Sequence, residues 1–127
     1  MIMKHPENKT RKVALLIETS NAYSRGLLRG IAAYMKEHDR WSVHLAESSR
    51  GNAALSWLDH WDGDGIIARI ENRSIRDALL SIKIPIVDVS ASRLISSLPW
   101  VETDDKKISG LAAEHLLERG FRNFAFC

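Results

Sequence analysis

The sequence predicts an α/β protein, in which a mainly parallel sheet carries helices on both faces. Short apolar runs alternate along the chain with segments whose apolar residues recur at helical spacing. The first run, residues 12–18, is apolar almost throughout, as is typical of a strand that is covered on both sides. Because strands that alternate with single helices are joined by right-handed crossovers, the pattern indicates three layers.

The first crossover is predicted to be a helix over residues 24–38, with Ser24 as its N-cap. Its apolar residues form one helical stripe, which consists of Leu27, Leu28, Ile31, Ala32 and Met35. Residues 41–47 then alternate between apolar and polar side chains. This alternation predicts a second strand that is more exposed than the first and lies nearer an edge of the sheet.

Two further helix and strand units follow. Asn52 can cap a helix that carries Leu55, Leu58 and Trp61, and the Asp-Gly-Asp-Gly run of residues 62–65 interrupts it. Trp57 and Trp61 lie four residues apart on this helix, and they are interpreted as packing residues. The third strand is predicted over residues 65–70.

Ser74 is predicted to cap a short helix with Ile75, Ala78, Leu79 and Ile82. Residues 84–89 form the fourth strand, with Pro85 at its beginning, where a missing N–H donor is tolerated. Residues 90–99 then form a polar loop without a clear period.

The last quarter of the chain repeats the pattern. Residues 100–103 are predicted to form a short fifth strand, and Asp104 or Asp105 caps a helix. The apolar stripe of this helix consists of Ile108, Leu111, Ala112, His115 and Leu116. Gly120 suits the left-handed position after a helix, and residues 123–127 are predicted to begin a sixth strand.

Composition places the chain among ordinary globular proteins. Its 127 residues can bury one proper core, and its formal net charge of +2 indicates neither a nucleic-acid surface nor a polybasic membrane surface. The single cysteine, Cys127, excludes an internal disulfide and suits a reducing compartment. There is no apolar run near the roughly 18 residues of a membrane span and no secretory signal before Lys12, so we expect a cytoplasmic protein.

Ligands of open parallel sheets bind beyond the carboxyl ends of the strands, and polar side chains follow several of the predicted strands. The candidate ligand-binding residues are Asn21, Tyr23 and Ser24 after the first strand, Arg69 after the third, Ser90 after the fourth and Asp104 after the fifth. Hydroxyl, amide, guanidinium and carboxylate groups beside an aromatic ring suit a neutral polyhydroxyl ligand. Loops are polar in any protein, however, so spacing alone favours the simpler interpretation that these residues bind nothing.

Other chemistries lack their residues in this sequence. Residues 19–26 contain neither a Gly-x-Gly-x-x-Gly motif nor a Walker lysine, and the five histidines are not spaced as metal ligands. There is no convergent Ser-His-Asp or Cys-His set, so we expect no enzyme, no cofactor and no metal. A phosphoacceptor receiver domain has a similar length and architecture, but it needs an aspartate where Arg69 closes the third strand.

The chain resembles the sensor domains of the lac-repressor and periplasmic sugar-binding superfamily from about residue 12 to residue 127. The resemblance is carried by Asp-Gly-Ile-Ile at 64–67, Ile-Pro-Ile-Val at 84–87, Thr-Asp-Asp at 103–105 and the segment 112–122. The superfamily has Asp-Asn where this chain has Asp104-Asp105. The resemblance implies the first lobe of a type I periplasmic-binding-protein-like fold.

Within that superfamily the chain is most similar to the XylR-type xylose-operon regulators. The similar segments are Asn-Ala-Tyr-Ser-Arg at 21–25 and residues 119–126. Lac-type repressors begin with a helix-turn-helix headpiece, whereas 11 residues precede the first predicted strand. The resemblance therefore implies an AraC-type regulator whose sugar-sensing domain comes first and whose DNA-binding helices lie beyond this chain.

This resemblance implies three parts: a flexible arm over residues 1–11, a first sensor lobe over residues 12–120, and the first strand of a truncated second lobe over residues 121–127. A monosaccharide effector, with a pentose such as xylose expected, would bind between two lobes of a homodimeric regulator. DNA would be contacted only through the missing C-terminal domain, and there would be no membrane partner. The alternatives are a lac-repressor-type regulator or a sugar-binding transport component. The identity of the sugar, the operator and the sign of regulation stay open.

Overall fold

A computed structural model describes residues 9–46 and 52–125, and its centre is a four-stranded parallel sheet. The strands are β1 (Arg11–Leu16), β2 (Trp41–Leu45), β3 (Gly65–Ala68) and β4 (Ile86–Asp88), in the spatial order β2-β1-β3-β4. Every strand pair is parallel. The predicted α/β fold is confirmed, and so is the position of the second strand at a sheet edge.

Within these two ranges, three α-helices and a 3₁₀ helix connect and follow the strands. They are α1 (Ala22–Glu37), the 3₁₀ helix (Asn52–His60), α2 (Arg73–Leu80) and α3 (Asp105–Glu118). Asn52 was expected to cap an α-helix that reaches Trp61, but the segment adopts the tighter 3₁₀ form and ends one residue earlier. The closing hydrogen bond, from Trp61 N to Leu58 O at 3.1 Å, spans three residues.

The two faces of the sheet carry separate cores. On one face, Leu16 and Ile66 are each 2% exposed, and they pack in one cluster with Leu58 of the 3₁₀ helix and Leu79 of α2. On the other face, a smaller cluster contacts the apolar stripe of α1; its buried members are Val13, Leu15, Ile17 and Val89. Full burial of each such side chain contributes about 1.5–3 kcal/mol. Helices therefore cover both faces, as the alternating pattern predicted.

The paired strands are shorter than the apolar runs that predicted them. The prediction extended the first strand to residue 18, the third to residue 70 and the fourth to residue 89. Ile17 and Ile70 are fully buried, and Val89 is 7% exposed, although all three lie just beyond the paired segments. The apolar run marks burial, and burial continues where the backbone has begun to leave the sheet.

Two predicted N-caps were wrong by two or three residues. The cap of α1 is Asn21 and not Ser24, and its Oδ1 accepts from Ser24 N at 2.8 Å. The cap of α2 is Asn72 and not Ser74, and its Oδ1 accepts from Ile75 N at 3.0 Å. In both helices an earlier asparagine satisfies the free N–H groups of the first turn, so the serine becomes a helical residue.

The end of the described chain departs most from the prediction. The expected fifth strand is reduced to a single parallel bridge between Trp100 and Asp88. Residues 123–125 form no strand, and Phe126 and Cys127 lie outside the described residues. Gly120 does take a left-handed conformation, with φ +83°, and the Phe121 N–H bonds to Leu116 O at 3.1 Å. This closure of α3 confirms the predicted role of Gly120.

Helix α3 itself has no buried residue in this structure. Asp104 is its N-cap, in agreement with one of the two predicted caps. Two members of its predicted apolar stripe are exposed, Ile108 at 53% and Leu111 at 59%, and so is the neighbouring Leu117 at 48%. A single helix with three large apolar side chains so exposed leaves a sizeable apolar surface uncovered.

We expect Gly63→Ala to destabilise the chain by about 1–3 kcal/mol, because overpacking a filled site forces its neighbours to shift. A Cβ at Gly63 would overlap the indole ring of Trp61, which packs against the larger core cluster. Urea denaturation of the 127-residue chain, followed by tryptophan fluorescence, measures the change. Gly110→Ala on α3 is the matched control, because nothing lies within 4 Å of its added Cβ. Equal unfolding midpoints for the two variants would contradict the steric account.

Candidate functional site

The register of the sheet brings the ends of three strands to one level. Leu16 pairs with Ala68, and Ala68 pairs with Asp88, so β1, β3 and β4 stop side by side. The residues that follow them therefore lie along the same carboxyl edge. This is the edge at which open parallel sheets bind their ligands.

The first turn of α1 lies at this edge because of its cap. Asn21 fixes the start of the helix through Ser24 N, which places Tyr23 and Ser24 in the first turn. Ser24 is fully buried, whereas Tyr23 is 41% exposed. The turn thus presents a buried hydroxyl beside a half-exposed aromatic ring.

Arg69, the first residue after β3, contacts this turn. Its Nη1 donates to Ser24 Oγ at 3.0 Å, and its guanidinium carbon lies 4.9 Å from the centre of the Tyr23 ring. Its Nη2 forms an ion pair with Glu71 Oε1 at 2.9 Å. Arg69 joins the end of β3 to the start of α1, and the four side chains of Tyr23, Ser24, Arg69 and Glu71 are called the Arg69 cluster below.

The Arg69 cluster is half-buried and polar. The side chain of Arg69 is 20% exposed and that of Glu71 is 40% exposed. Arg69 Nε is buried and has no hydrogen-bond partner within the described ranges. Three of the six predicted ligand-binding residues, Tyr23, Ser24 and Arg69, thus meet in one cluster, and Asn21 sets their geometry.

Ser90 occupies a different environment. It is 3% exposed, and its hydroxyl donates to Ile70 O at 3.1 Å. Its backbone N–H donates to Asp88 Oδ1 at 2.8 Å, and Ile70 N also points to that oxygen at 3.4 Å. Ser90 and Asp88 therefore hold the ends of β3 and β4 together, and a ligand-binding role for Ser90 stays a prediction.

Asp104 lies at the start of α3, where it is exposed. Its Oδ1 accepts from Lys107 N at 2.9 Å, which is the capping bond. The neighbouring Thr103 hydroxyl donates to Asp105 Oδ1 at 2.8 Å. The structure shows Asp104 as a helix cap, and its ligand-binding role also stays a prediction.

Two features of this edge were missed by the sequence reasoning. Glu71 was not among the candidates, although an acid two residues after Arg69 could have signalled the ion pair. Arg93 has a left-handed backbone, with φ 45°, and its guanidinium carbon lies 4.3 Å from the centre of the Trp100 ring. It also pairs with Glu102, and no periodic pattern in the loop pointed to this contact.

The described residues form neither a metal site nor a membrane-spanning helix. Within residues 9–46 and 52–125, no three His, Cys, Asp or Glu side chains come together to hold a metal ion. None of the helices described is both long and apolar enough to cross a bilayer. A surface hollow of about 300 Å³, lined by residues that include Lys9, Arg40 and Trp41, lies at the opposite edge of the sheet and contains no predicted site residue.

A parallel sheet covered by helices on both faces, with a polar cluster at the carboxyl ends of its strands, defines an open-sheet α/β protein. Its similarity to a solved XylR structure identifies the fold as type I periplasmic-binding-protein-like. The chain belongs to the XylR N-terminal domain family, whose sequence model matches residues 12–106. The resemblance inferred from the sequence is thereby confirmed.

The chain is similar to regulators described as xylose operon regulatory proteins. It is 32% identical to the one from Escherichia coli K12 over 123 residues, which are 93% of this chain and 31% of the relative. It is 26% identical to the one from Haemophilus influenzae over 120 residues, which are 91% of this chain and 30% of the relative. The chain therefore spans about a third of the length of these curated relatives.

A solved structure is also similar. It is described as the structure of the xylose-binding transcription activator XylR, and it matches with a TM-score of 0.67 at 29% sequence identity. The match covers 88% of this chain and 28% of that chain. These relatives are thus described as an operon regulatory protein and as a transcription activator.

Proposed function

We propose that this chain is the sugar-sensing part of a xylose-responsive transcriptional regulator of the cytoplasm. A monosaccharide, with D-xylose as the first choice, binds between this lobe and a second lobe. Closure of the two lobes changes the relative position of the subunits in a homodimer. It thereby changes the position of their C-terminal AraC-type DNA-binding domains. Family membership supports the proposal, and so do the names of the relatives, which are xylose operon regulators.

The Arg69 cluster is the observation that carries the proposal. It places a partly exposed guanidinium, held by the buried Ser24 hydroxyl, beside a half-exposed ring at the edge where such sheets bind ligands. Planar, charged donors bind adjacent sugar hydroxyls through paired hydrogen bonds, and an aromatic ring can cover the apolar face of a sugar. An edge that is open in one lobe becomes a cleft when a second lobe faces it.

The proposed domain division places residues 12–120 in the first lobe and residues 121–127 at the start of the second. The uncovered apolar side chains of α3 and of Phe121 and Phe124 support a second lobe in this region, because Phe121 is 56% and Phe124 is 50% exposed. A sugar can drive closure only through contacts that differ between the open and closed arrangements. We expect Tyr23 and Arg69 to form such contacts.

A calorimetric titration of the full-length protein with D-xylose tests the function. We expect saturable binding at one site per subunit and weaker binding of L-arabinose, which differs in the arrangement of its hydroxyls. A sugar-dependent change in affinity for DNA from the control region of its own xylose genes would extend the result to regulation. If the protein bound neither pentose, the proposed function would fail.

Asp104 can be tested separately, because asparagine caps helices as well as aspartate does. We expect Asp104→Asn in the full-length protein to leave the thermal midpoint unchanged and to weaken D-xylose binding by about tenfold, the effect of losing one charge-assisted hydrogen bond. Asp105→Asn, one residue further along, is the matched control. Unchanged sugar affinity in Asp104→Asn would show that Asp104 serves α3 only.

A further inference from the structure

Glu71 determines how much positive charge the Arg69 cluster presents to a ligand. Its Oε1 lies 2.9 Å from Arg69 Nη2, and the pair is only partly exposed, at 20% for Arg69 and 40% for Glu71. Nη1 is directed to Ser24 and the face of the guanidinium to Tyr23. Without Glu71, Nη2 would be available to bind an incoming anion.

An unpaired arginine at such an edge would be an anion site. The guanidinium fork matches carboxylate and phosphate groups and binds them through two parallel hydrogen bonds. In this structure Glu71 occupies one nitrogen of the fork with a carboxylate that belongs to the chain itself. An anionic ligand would have to displace Glu71 or approach it against like charge.

We propose that Glu71 makes the site selective for neutral sugars and against anionic sugar derivatives, an inference that rests on the proposed function. Discrimination between two ligands is a difference of affinities, and a charge built against the unwanted ligand is one means to obtain it. A neutral sugar still receives hydrogen bonds from the remaining guanidinium N–H groups. Glu71 is thus a specificity-determining residue that acts through Arg69.

Two other charged side chains of this edge, those of Arg25 and Glu18, have partners of their own. The other arginine of the first turn, Arg25, directs its Nη1 to Thr19 O at 3.0 Å. Ser20 donates to Glu18, the nearest preceding acid on the same connection. In the ion pair with Arg69, the Glu71 carboxylate occupies the position that the anionic group of a ligand would occupy.

The experiment compares D-xylose with D-xylonate, which has the same number of carbons and carries a carboxylate. Both are titrated into the full-length protein and into its Glu71→Gln variant. We expect the wild-type protein to prefer D-xylose. We expect Glu71→Gln to improve D-xylonate binding by about tenfold relative to D-xylose, because the Arg69 charge is then no longer compensated by Glu71. Raising the salt concentration should reduce the gain.

Two variants separate selectivity from folding. Glu71→Asp keeps the negative charge, so it should retain the preference for D-xylose. Asp77→Asn removes the acid that pairs with Arg76 on α2 at 2.7 Å, and it should leave both affinities unchanged. If Glu71→Gln bound D-xylose but gained nothing for D-xylonate, the inference would be overturned. If the wild-type protein bound no D-xylose, the proposed function would fail instead.

Discussion

Arg69→Ala is expected to reduce D-xylose affinity of the full-length protein by at least about tenfold and up to about a hundredfold, since a hydrogen bond to a charged group contributes about 1.5–3 kcal/mol. The substitution removes three contacts at once. Ser24 Oγ loses its donor, the Tyr23 ring loses the guanidinium above it, and Glu71 loses its partner. Calorimetric titration with the sugar measures the effect.

Two further variants isolate the role of the guanidinium. Arg69→Lys keeps the charge but not the planar fork, so we expect binding to be weakened less than in Arg69→Ala but not restored. Arg76→Ala is the matched control, because Arg76 pairs with Asp77 on α2 and takes no part in the Arg69 cluster. Wild-type affinity in Arg69→Ala would remove the Arg69 cluster from the sugar site.

The fold could be predicted because it follows from the spacing of apolar residues. Apolar runs predict strands that are covered on both faces, and single apolar stripes predict helices that each pack on one side. A parallel sheet between two layers of helices is the simplest arrangement that satisfies both. Their boundaries could not be predicted equally well. Ile17 and Ile70 are buried by packing and not by pairing, and Asn21 and Asn72 compete with nearby serines for the N-cap position of the helix. Such local competition is decided by geometry that a linear pattern does not contain.

The site could be predicted as a set of residues but not as an arrangement. The rule that ligands bind at carboxyl ends selected Tyr23, Ser24 and Arg69, which the structure brings together. The same rule selected Ser90, whose hydroxyl turned out to be directed to a backbone carbonyl. A polar side chain after a strand can face outward, or it can form a hydrogen bond to the neighbouring strand. Its side of the sheet decides between the two, and that side is known only once the strand register is known.

The sheet places the larger core cluster and the Arg69 cluster on opposite sides, as the side chains of β3 show. Side chains alternate between faces along β3, so Ile66 and Ala68 point into the larger core cluster, while Ile67 belongs to the opposite one and Arg69 contacts α1. We expect Ile66→Ala to destabilise the 127-residue chain by about 2–5 kcal/mol, the cost of a cavity in a packed core. Trp57 and Trp61 pack against the same cluster, so tryptophan fluorescence during urea denaturation reports its loss.

Two comparisons make this prediction specific. Ile66→Val removes one methyl group and should cost only about 0.5–1.5 kcal/mol. Val43→Ala, on the edge strand β2, is the control, because Val43 is 40% exposed and its truncation opens no cavity. In the full-length protein, folded Ile66→Val should bind D-xylose with wild-type affinity, since its side chain lies on the face opposite to Arg69. A loss of sugar affinity in that variant, without a loss of structure, would show that the core face and the Arg69 cluster are coupled.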